Sequence, residues 1–187
     1  AVNVVTPHTL HYEHASACLD RDLHVFLEKP LTTDLDDAVA LVEESNRRDL
    51  VLQVGYQRHF DPVFREIKRV IDEGRLGDVH AATCYLGQEW ITTHEDSWRT
   101  NPALSGGGQL YDSGSHLLDT LLWTLDADPV DVTAAIDDRG NDVDVNSALT
   151  VTLDRDGDRI LSTVAVSGDG NAPEPTEGLV IWGTDGH

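Results

Sequence analysis

The chain has 187 residues, with 13 Lys+Arg against 34 Asp+Glu and a formal net charge of −21. Its 40% hydrophobic content, 15 glycines and 7 prolines exclude a disordered or collagen-like chain, and two cysteines, Cys18 and Cys84, are too few for a disulfide framework. No apolar run approaches the roughly 20 residues of a membrane span, and no basic cluster exceeds Arg47-Arg48, so neither a membrane nor a nucleic acid is an expected partner. The acid is mostly Asp, and only Lys29 and Lys68 are lysines. Such a surface repels itself at low salt, which reads as adaptation to a salty cytoplasm; the plain alternative is an ordinary acidic bacterial protein.

Val2–Thr6 reads as a short buried strand, ended by Pro7 near the start of a helix that runs to about Arg21. Leu23–Leu27 is a second strand. Thr33 or Asp34 can cap a helix over Leu35–Arg48, with Leu35, Ala38, Val39, Leu41 and Val42 as its apolar stripe. Leu50–Val54 is a third strand. Alternating strands and helices at these spacings predict crossover units and a parallel sheet. Asp61-Pro62 then opens a helix with Phe64, Ile67, Val70 and Ile71 on its apolar face, ending near Gly74. Asp78–Leu86 favours a strand.

Ile91–Gly108 has little periodicity and reads as a long loop, a length at which function is common. Leu110–Leu125 resumes a helical pattern. Val130–Ile136, Val145–Leu153 and Arg159–Val166 are strand candidates, the last two joined by a hairpin turn at Asp154-Arg155-Asp156-Gly157. Ser167–Glu177 is a polar loop before a final strand run, Gly178–Gly183. The expected fold class is α/β: a partial Rossmann-type parallel sheet, then part of an α/β domain with a large open, mainly antiparallel sheet. Residues 1–56 would form the first unit and 57–187 the second, with the 110–125 helix at their interface. Strand-like runs at both ends suggest an excerpt of a longer chain.

Five segments carry residues suited to chemistry. Glu28-Lys29-Pro30 puts one of the two lysines at the carboxyl end of a predicted parallel strand, where open α/β sheets bind ligands. A lysine there can donate to a substrate oxygen; the bland reading is a turn lysine. In Gly106–Asp119, Asp112 and His116 are four apart, so on a helix they share a face and the carboxylate can influence the imidazole. Asp119 could support them. The plain alternative is a cap, a glycine hinge and a half-buried histidine. His8, His11 and His14 recur every three residues, but on a helix they converge too poorly for zinc, and a single one, most readily His11, near the ligand edge fits better. Gly55-Tyr56-Gln57-Arg58 follows the third strand and could contact ligand oxygens or bridge domains. Trp98-Arg99 lies in the long loop, where Arg99 supplies a local positive charge or is simply solvated. Trp90 and Trp98 read as pocket walls or core residues. No Gly-x-Gly-x-x-Gly dinucleotide loop occurs.

Taken together, four of these segments resemble the glucose–fructose oxidoreductase / inositol dehydrogenase (Gfo/Idh/MocA) family. They are Val5-Thr6-Pro7-His8 with His11; Glu28-Lys29-Pro30; Gly55-Tyr56-Gln57-Arg58 with Phe60-Asp61-Pro62; and Gly106-Gly107-Gly108 with Leu110, Asp112, Gly114, His116 and Asp119. The resemblance runs along the whole chain. It implies an NAD(P)-dependent oxidoreductase acting on a sugar, cyclitol or related polyol, with no metal, and a homo-oligomer in the cytoplasm. It further implies Lys29, His116 and Asp112 as catalytic residues. Thr6, Pro7, His8, His11, Glu28, Lys29, Gln57 and Arg58 would bind cofactor; Lys29, Tyr56, Arg99, Asp112 and His116 would bind substrate. The competing expectations are a metal-assisted sugar isomerase or hydrolase, and a non-catalytic binding protein of the same fold.

Overall fold

A computed structural model describes residues 1–170 and 175–187. Three short strands, β1 (Val2–Val4), β2 (Val25–Leu27) and β3 (Leu52–Val54), pair in parallel in the order β1-β2-β3. Helices α1 (His11–Leu19) and α2 (Leu35–Arg47) make the two crossovers. Both crossovers step the same way along the sheet, so right-handed connection puts both helices on one face. Ala15 and Leu19 of α1 and Leu41 of α2 close over Val4, Val25 and Leu27 there.

The elements differ from expectation mainly in extent. The first strand ends at Val4, not Thr6, and a 3-10 turn (His8–Leu10) precedes α1, which stops at Leu19. Asp34 is the residue that caps α2: its carboxylate accepts the amides of Asp36 and Asp37. The expected stripe of α2 is only partly used. Leu41 is buried, while Leu35, Val39 and Val42 are exposed, because three strands offer a face too narrow for the whole stripe.

Asp61 and Pro62 open α3 (Pro62–Asp72), with the Asp61 carboxylate accepting from Val63 N–H at 2.8 Å. The second sheet holds β4 (Val79–Gly87), β5 (Asp128–Asp137), β6 (Asn146–Arg155), β7 (Asp158–Ser167) and β8 (Thr176–Gly183), in the order β5-β6-β7-β4-β8. Only β4 and β7 pair in parallel; the other neighbours are antiparallel. The β6–β7 turn is Asp156-Gly157, with φ of 55° and 94°, the doubly left-handed geometry that suits a two-residue hairpin. The polar loop expected over 167–177 is shorter than expected, because β7 runs to Ser167 and β8 begins at Thr176; residues 171–174 of it lie outside the described residues.

The single helix expected over Leu110–Leu125 begins as a π-helical turn (Leu110–Gly114) and continues as α6 (Ser115–Leu125). Leu117, Leu121 and Leu125 of α6 pack with Leu86, Leu149, Val151, Leu153, Ile160, Val164 and Val166 into the second core. The other face of the sheet is open. The long loop expected over Ile91–Gly108 is a chain of single turns instead: α4 (Trp90–Thr93), a 3-10 turn (Trp98–Thr100) and α5 (Pro102–Ser105). One-turn pieces carry no periodicity, so polar caps hold them; Ser97 Oγ accepts from Arg99 N–H and Asn101 Oδ1 from Ala103 N–H. This stretch fastens the two sheets together: the Thr9 hydroxyl donates to the carbonyls of Ala103 and Leu104, and His8 Nδ1 lies 3.0 Å from Ser105 O.

Candidate functional site

The site forms where the carboxyl ends of β1, β2 and β3 meet the glycine segment and its π-turn. Gly108 makes that approach possible. A Cβ on it would stand 2.0 Å from the carbonyl oxygen of Asp144, so only glycine fits. Asp144 in turn holds the segment's backbone: its carboxylate accepts from Gly108 and Leu110 N–H, and its carbonyl from Gln109 N–H. On the opposite side Gly106, at φ +73°, passes against Thr33, and the Tyr111 hydroxyl donates to Thr33 O. The glycines therefore seat the π-turn between both halves.

Asp112 sits in that turn, and three cationic or polar donors converge on it. Lys29 Nζ donates to Asp112 Oδ1 at 2.5 Å and to its backbone oxygen at 2.6 Å. Trp90 Nε1 donates to Oδ2 at 2.8 Å, and Arg99 Nε to the same oxygen at 3.1 Å. Burial alone pushes the Asp112 carboxyl up. The Lys29 ammonium, the indole N–H and Arg99 outweigh burial and hold it at about 2, so it is an anion at any ordinary pH. The peptide bond Lys29-Pro30 is cis.

His116 lies four residues beyond Asp112, in the first turn of α6, but the two side chains are not hydrogen-bonded. The π-turn intervenes, and the Asp112 carboxylate turns to Lys29, Trp90 and Arg99. Burial, then the positive charges of Lys29 and Arg58, push the imidazole down to about 4, with Asp112 opposing them. At neutral pH it is an uncharged base. Its Nδ1 is buried without a hydrogen-bond partner among the described residues. The Tyr56 ring meets the His116 ring edge-on at 5.8 Å, and burial raises the Tyr56 hydroxyl above its usual range. Asp119, expected to support the pair, is hydrogen-bonded to neither. It accepts from His59 Nε2 at 2.8 Å, and the His59 ring stacks on Trp123 at 4.3 Å.

Two cavities meet at His116. One, of about 350 Å³, is lined by Phe26, Glu28, Gly55, Tyr56, Gln57, Phe60 and His116, at the ends of β2 and β3. The other, of about 610 Å³, opens toward the second sheet past Gln57, Arg58, Gln88, Ser113, His116 and Glu177. Glu28 and Gln57 thus stand in the cavity at the first sheet. Arg58 turns the other way: Nη2 pairs with Glu177 of β8, while Nη1 is buried with no partner among the described residues.

The other expected residues gather at the end of β1. Pro7 leads into the 3-10 turn. His8 is buried, and burial lowers its imidazole to about 4 despite the Ser105 carbonyl. A Trp98 ring meets it edge-on at 4.8 Å. His11 is fully buried, with Nδ1 2.7 Å from Pro30 O and Nε2 2.9 Å from Thr6 O, so its ring ties the β1 end to the lysine turn and does not face a cavity. His14 Nδ1 lies 3.0 Å from Thr6 Oγ1. The three histidines that recur in sequence therefore turn to four different oxygens, three backbone and one hydroxyl, and share no common point. Trp90, read as a wall or core residue, is both: it is 1% exposed and it donates to Asp112. Nothing in its neighbourhood in sequence marked that bond.

Comparison with known proteins gives this arrangement its setting. Residues 1–56 match the oxidoreductase family with an NAD-binding Rossmann fold, and residues 64–187 match the GFO/IDH/MocA C-terminal domain. The chain belongs to this family. A D-xylose 1-dehydrogenase [NADP(+)] of Haloarcula marismortui is 34% identical over 139 residues, 73% of this chain and 38% of the relative. The scyllo-inositol 2-dehydrogenase (NADP(+)) IolW of Bacillus subtilis is 34% identical over 65% of this chain and 33% of its own length. GenD2 from gentamicin A biosynthesis, solved in complex with NAD, superposes with a TM-score of 0.89 at 25% identity, over 99% of this chain and 52% of that one. The chain spans about two fifths or less of these curated relatives and about half of the solved structure.

Proposed function

We propose that this chain carries the acid–base half of an NAD(P)-dependent oxidoreductase that acts on a secondary alcohol of a sugar, cyclitol or related polyol. The observation that carries the reading is an ammonium anchored on Asp112, that of Lys29, acting electrostatically on a buried neutral imidazole, His116, at which two cavities meet. Names of relatives that are xylose and inositol dehydrogenases support the substrate class.

The residues present fit the nicotinamide end of such a cofactor. The cavity at the first sheet is walled by Phe26, Tyr56 and Phe60 and offers the acceptor oxygens of Glu28 and the donor and acceptor of the Gln57 amide, a set suited to a flat ring with an amide. Those residues, with Thr6, Pro7, His8 and His11 shaping the β1 edge, would hold it. When bound, the cofactor supplies the hydride acceptor or donor. Lys29 has three N–H groups, of which Asp112 takes two; the third polarises the reacting oxygen. His116, uncharged above about pH 4, takes the hydroxyl proton. Asp112 keeps Lys29 charged and in place. Tyr56, Arg99 and the free Nη1 of Arg58 line the substrate side.

We assign residues 1–56 to the cofactor-binding domain and 57–187 to the substrate domain, with 110–125 between them. Self-association would use the open face of the second sheet, where Tyr85, Leu161 and Trp182 stand exposed on β4, β7 and β8. The acidic surface suits a salt-rich cytoplasm, and no helix among the described residues is long and apolar enough to cross a membrane. The direct test is reduction of NAD+ or NADP+ by a panel of sugars and cyclitols with the full-length protein, against Lys29→Met. Turnover should fall by orders of magnitude in the variant; equal rates would refute the role of Lys29.

A further inference from the structure

We propose that Trp90 is a positioning residue, whose indole N–H sets the Asp112 carboxylate so that its other oxygen faces Lys29. The inference rests on the oxidoreductase reading for its consequence, but not for its geometry.

Trp90 is 1% exposed, and its indole N–H is 2.8 Å from Asp112 Oδ2. Oδ1 is thereby left to Lys29. A carboxylate has two oxygens and can rotate about its own bond. With one oxygen held from inside the protein, rotation is blocked and the Lys29 ammonium gains a fixed anchor. Arg99 also reaches Oδ2, but its side chain is 34% exposed and it reaches from a single 3-10 turn, at 3.1 Å. The buried indole is the stiffer of the two.

What holds Trp90 is the second sheet. The backbone amides of Trp90 and Ile91 both donate to Gly168 O, just past β7, and Gln88 N–H donates to Ser167 O. The sheet ends therefore set α4, α4 sets the indole, the indole sets Asp112, and Asp112 sets a lysine carried by the first sheet. Trp90 registers the two halves of the site against each other. Besides Lys29 and Arg99, the Asp112 charge acts on His8, His94 and His116.

The test is Trp90→Phe in the full-length protein, which keeps an aromatic ring in the space and removes the N–H. With the polyol that the wild type turns over, kcat should fall 10- to 100-fold while KM for the cofactor changes less than about threefold. The midpoint of the Asp112 carboxyl, followed by carbon NMR, should move up measurably. Trp90→Tyr should not restore either value, because its hydroxyl lies elsewhere. In wild type, the indole N–H resonance of Trp90 should shift on Asp112→Asn; this reading survives if Trp90→Phe fails to fold. Unchanged kcat together with an unchanged Asp112 midpoint, or an indole resonance indifferent to Asp112→Asn, overturns the proposal. A protein with no NAD(P)-linked turnover, but with the NMR shifts, would refute the oxidoreductase reading and leave the positioning bond standing.

Discussion

Replacing Asp112 by Asn isolates the interaction at the centre of the site. Asn fills the same space and removes the charge. In the folded protein the Asp112 carboxyl is held at about 2, against an ordinary 3.8. A gap of that size corresponds to about 2 kcal/mol of stability at neutral pH. The substitution also takes the counter-ion from the Lys29 ammonium, which is 12% exposed at its side chain and left with neutral acceptors alone, the backbone carbonyl of residue 112 and one amide oxygen that Trp90 and Arg99 also seek. Breaking a buried pair by removing one partner costs roughly 3–5 kcal/mol, a figure that already contains the carboxyl's share, so a loss of about 3–5 kcal/mol is expected. The pH dependence carries the sign. A carboxyl whose folded value is depressed contributes stability above its unfolded value and loses it as pH falls through the folded one. The stability gap between wild type and Asp112→Asn should hold steady from pH 7 to about 5, then narrow toward pH 2. Denaturant unfolding of both proteins at one fixed high salt concentration measures it, and subtraction removes the many other acids that titrate in common. A gap under about 1 kcal/mol at pH 7, or one that is flat down to pH 3, would falsify the account of Asp112 as a buried anion anchored by Lys29.

Two other expectations follow from the same geometry. His116 has its imidazole lowered to about 4 by burial and by Lys29 and Arg58, so the unfolded chain binds its proton first as pH falls. Folded stability should decline between pH 6.5 and about 4, and His116→Gln should lessen the slope there, with His8 keeping its own share; an unaltered slope would contradict the burial of a neutral ring. Gly108→Ala places a Cβ 2.0 Å from a backbone oxygen, which only a shift of the Asp144 segment can relieve. Its melting temperature should drop by several degrees or the chain should fail to fold, whereas Gly140→Ala, in open space but at φ +80°, pays only the strain of a left-handed backbone.

How much of this was legible in the chain follows from the range of each interaction. Strand–helix alternation, the Asp34 and Asp61 caps and the Asp156-Gly157 turn rest on contacts within a few residues, so spacing and residue type were enough to place them. The chemistry-bearing residues were also visible one by one: a rare lysine after a strand, an aspartate and a histidine four apart. Spacing on an ideal helix paired Asp112 with His116, and placed Asp119 in their support. The folded chain instead widens that turn into a π-helix and gives each a different partner: Lys29, Trp90 and Arg99 for Asp112, His59 for Asp119. The one-turn pieces of residues 90–105 escaped notice because a single turn has no period, and their register comes from β7 and the β1 end. Composition fixed the strongly acidic charge of the chain, and local spacing marked which residues could do chemistry. Only the tertiary structure decided which of them meet, because Lys29 and Asp112 stand 83 residues apart and are brought together by two sheets packed on one loop.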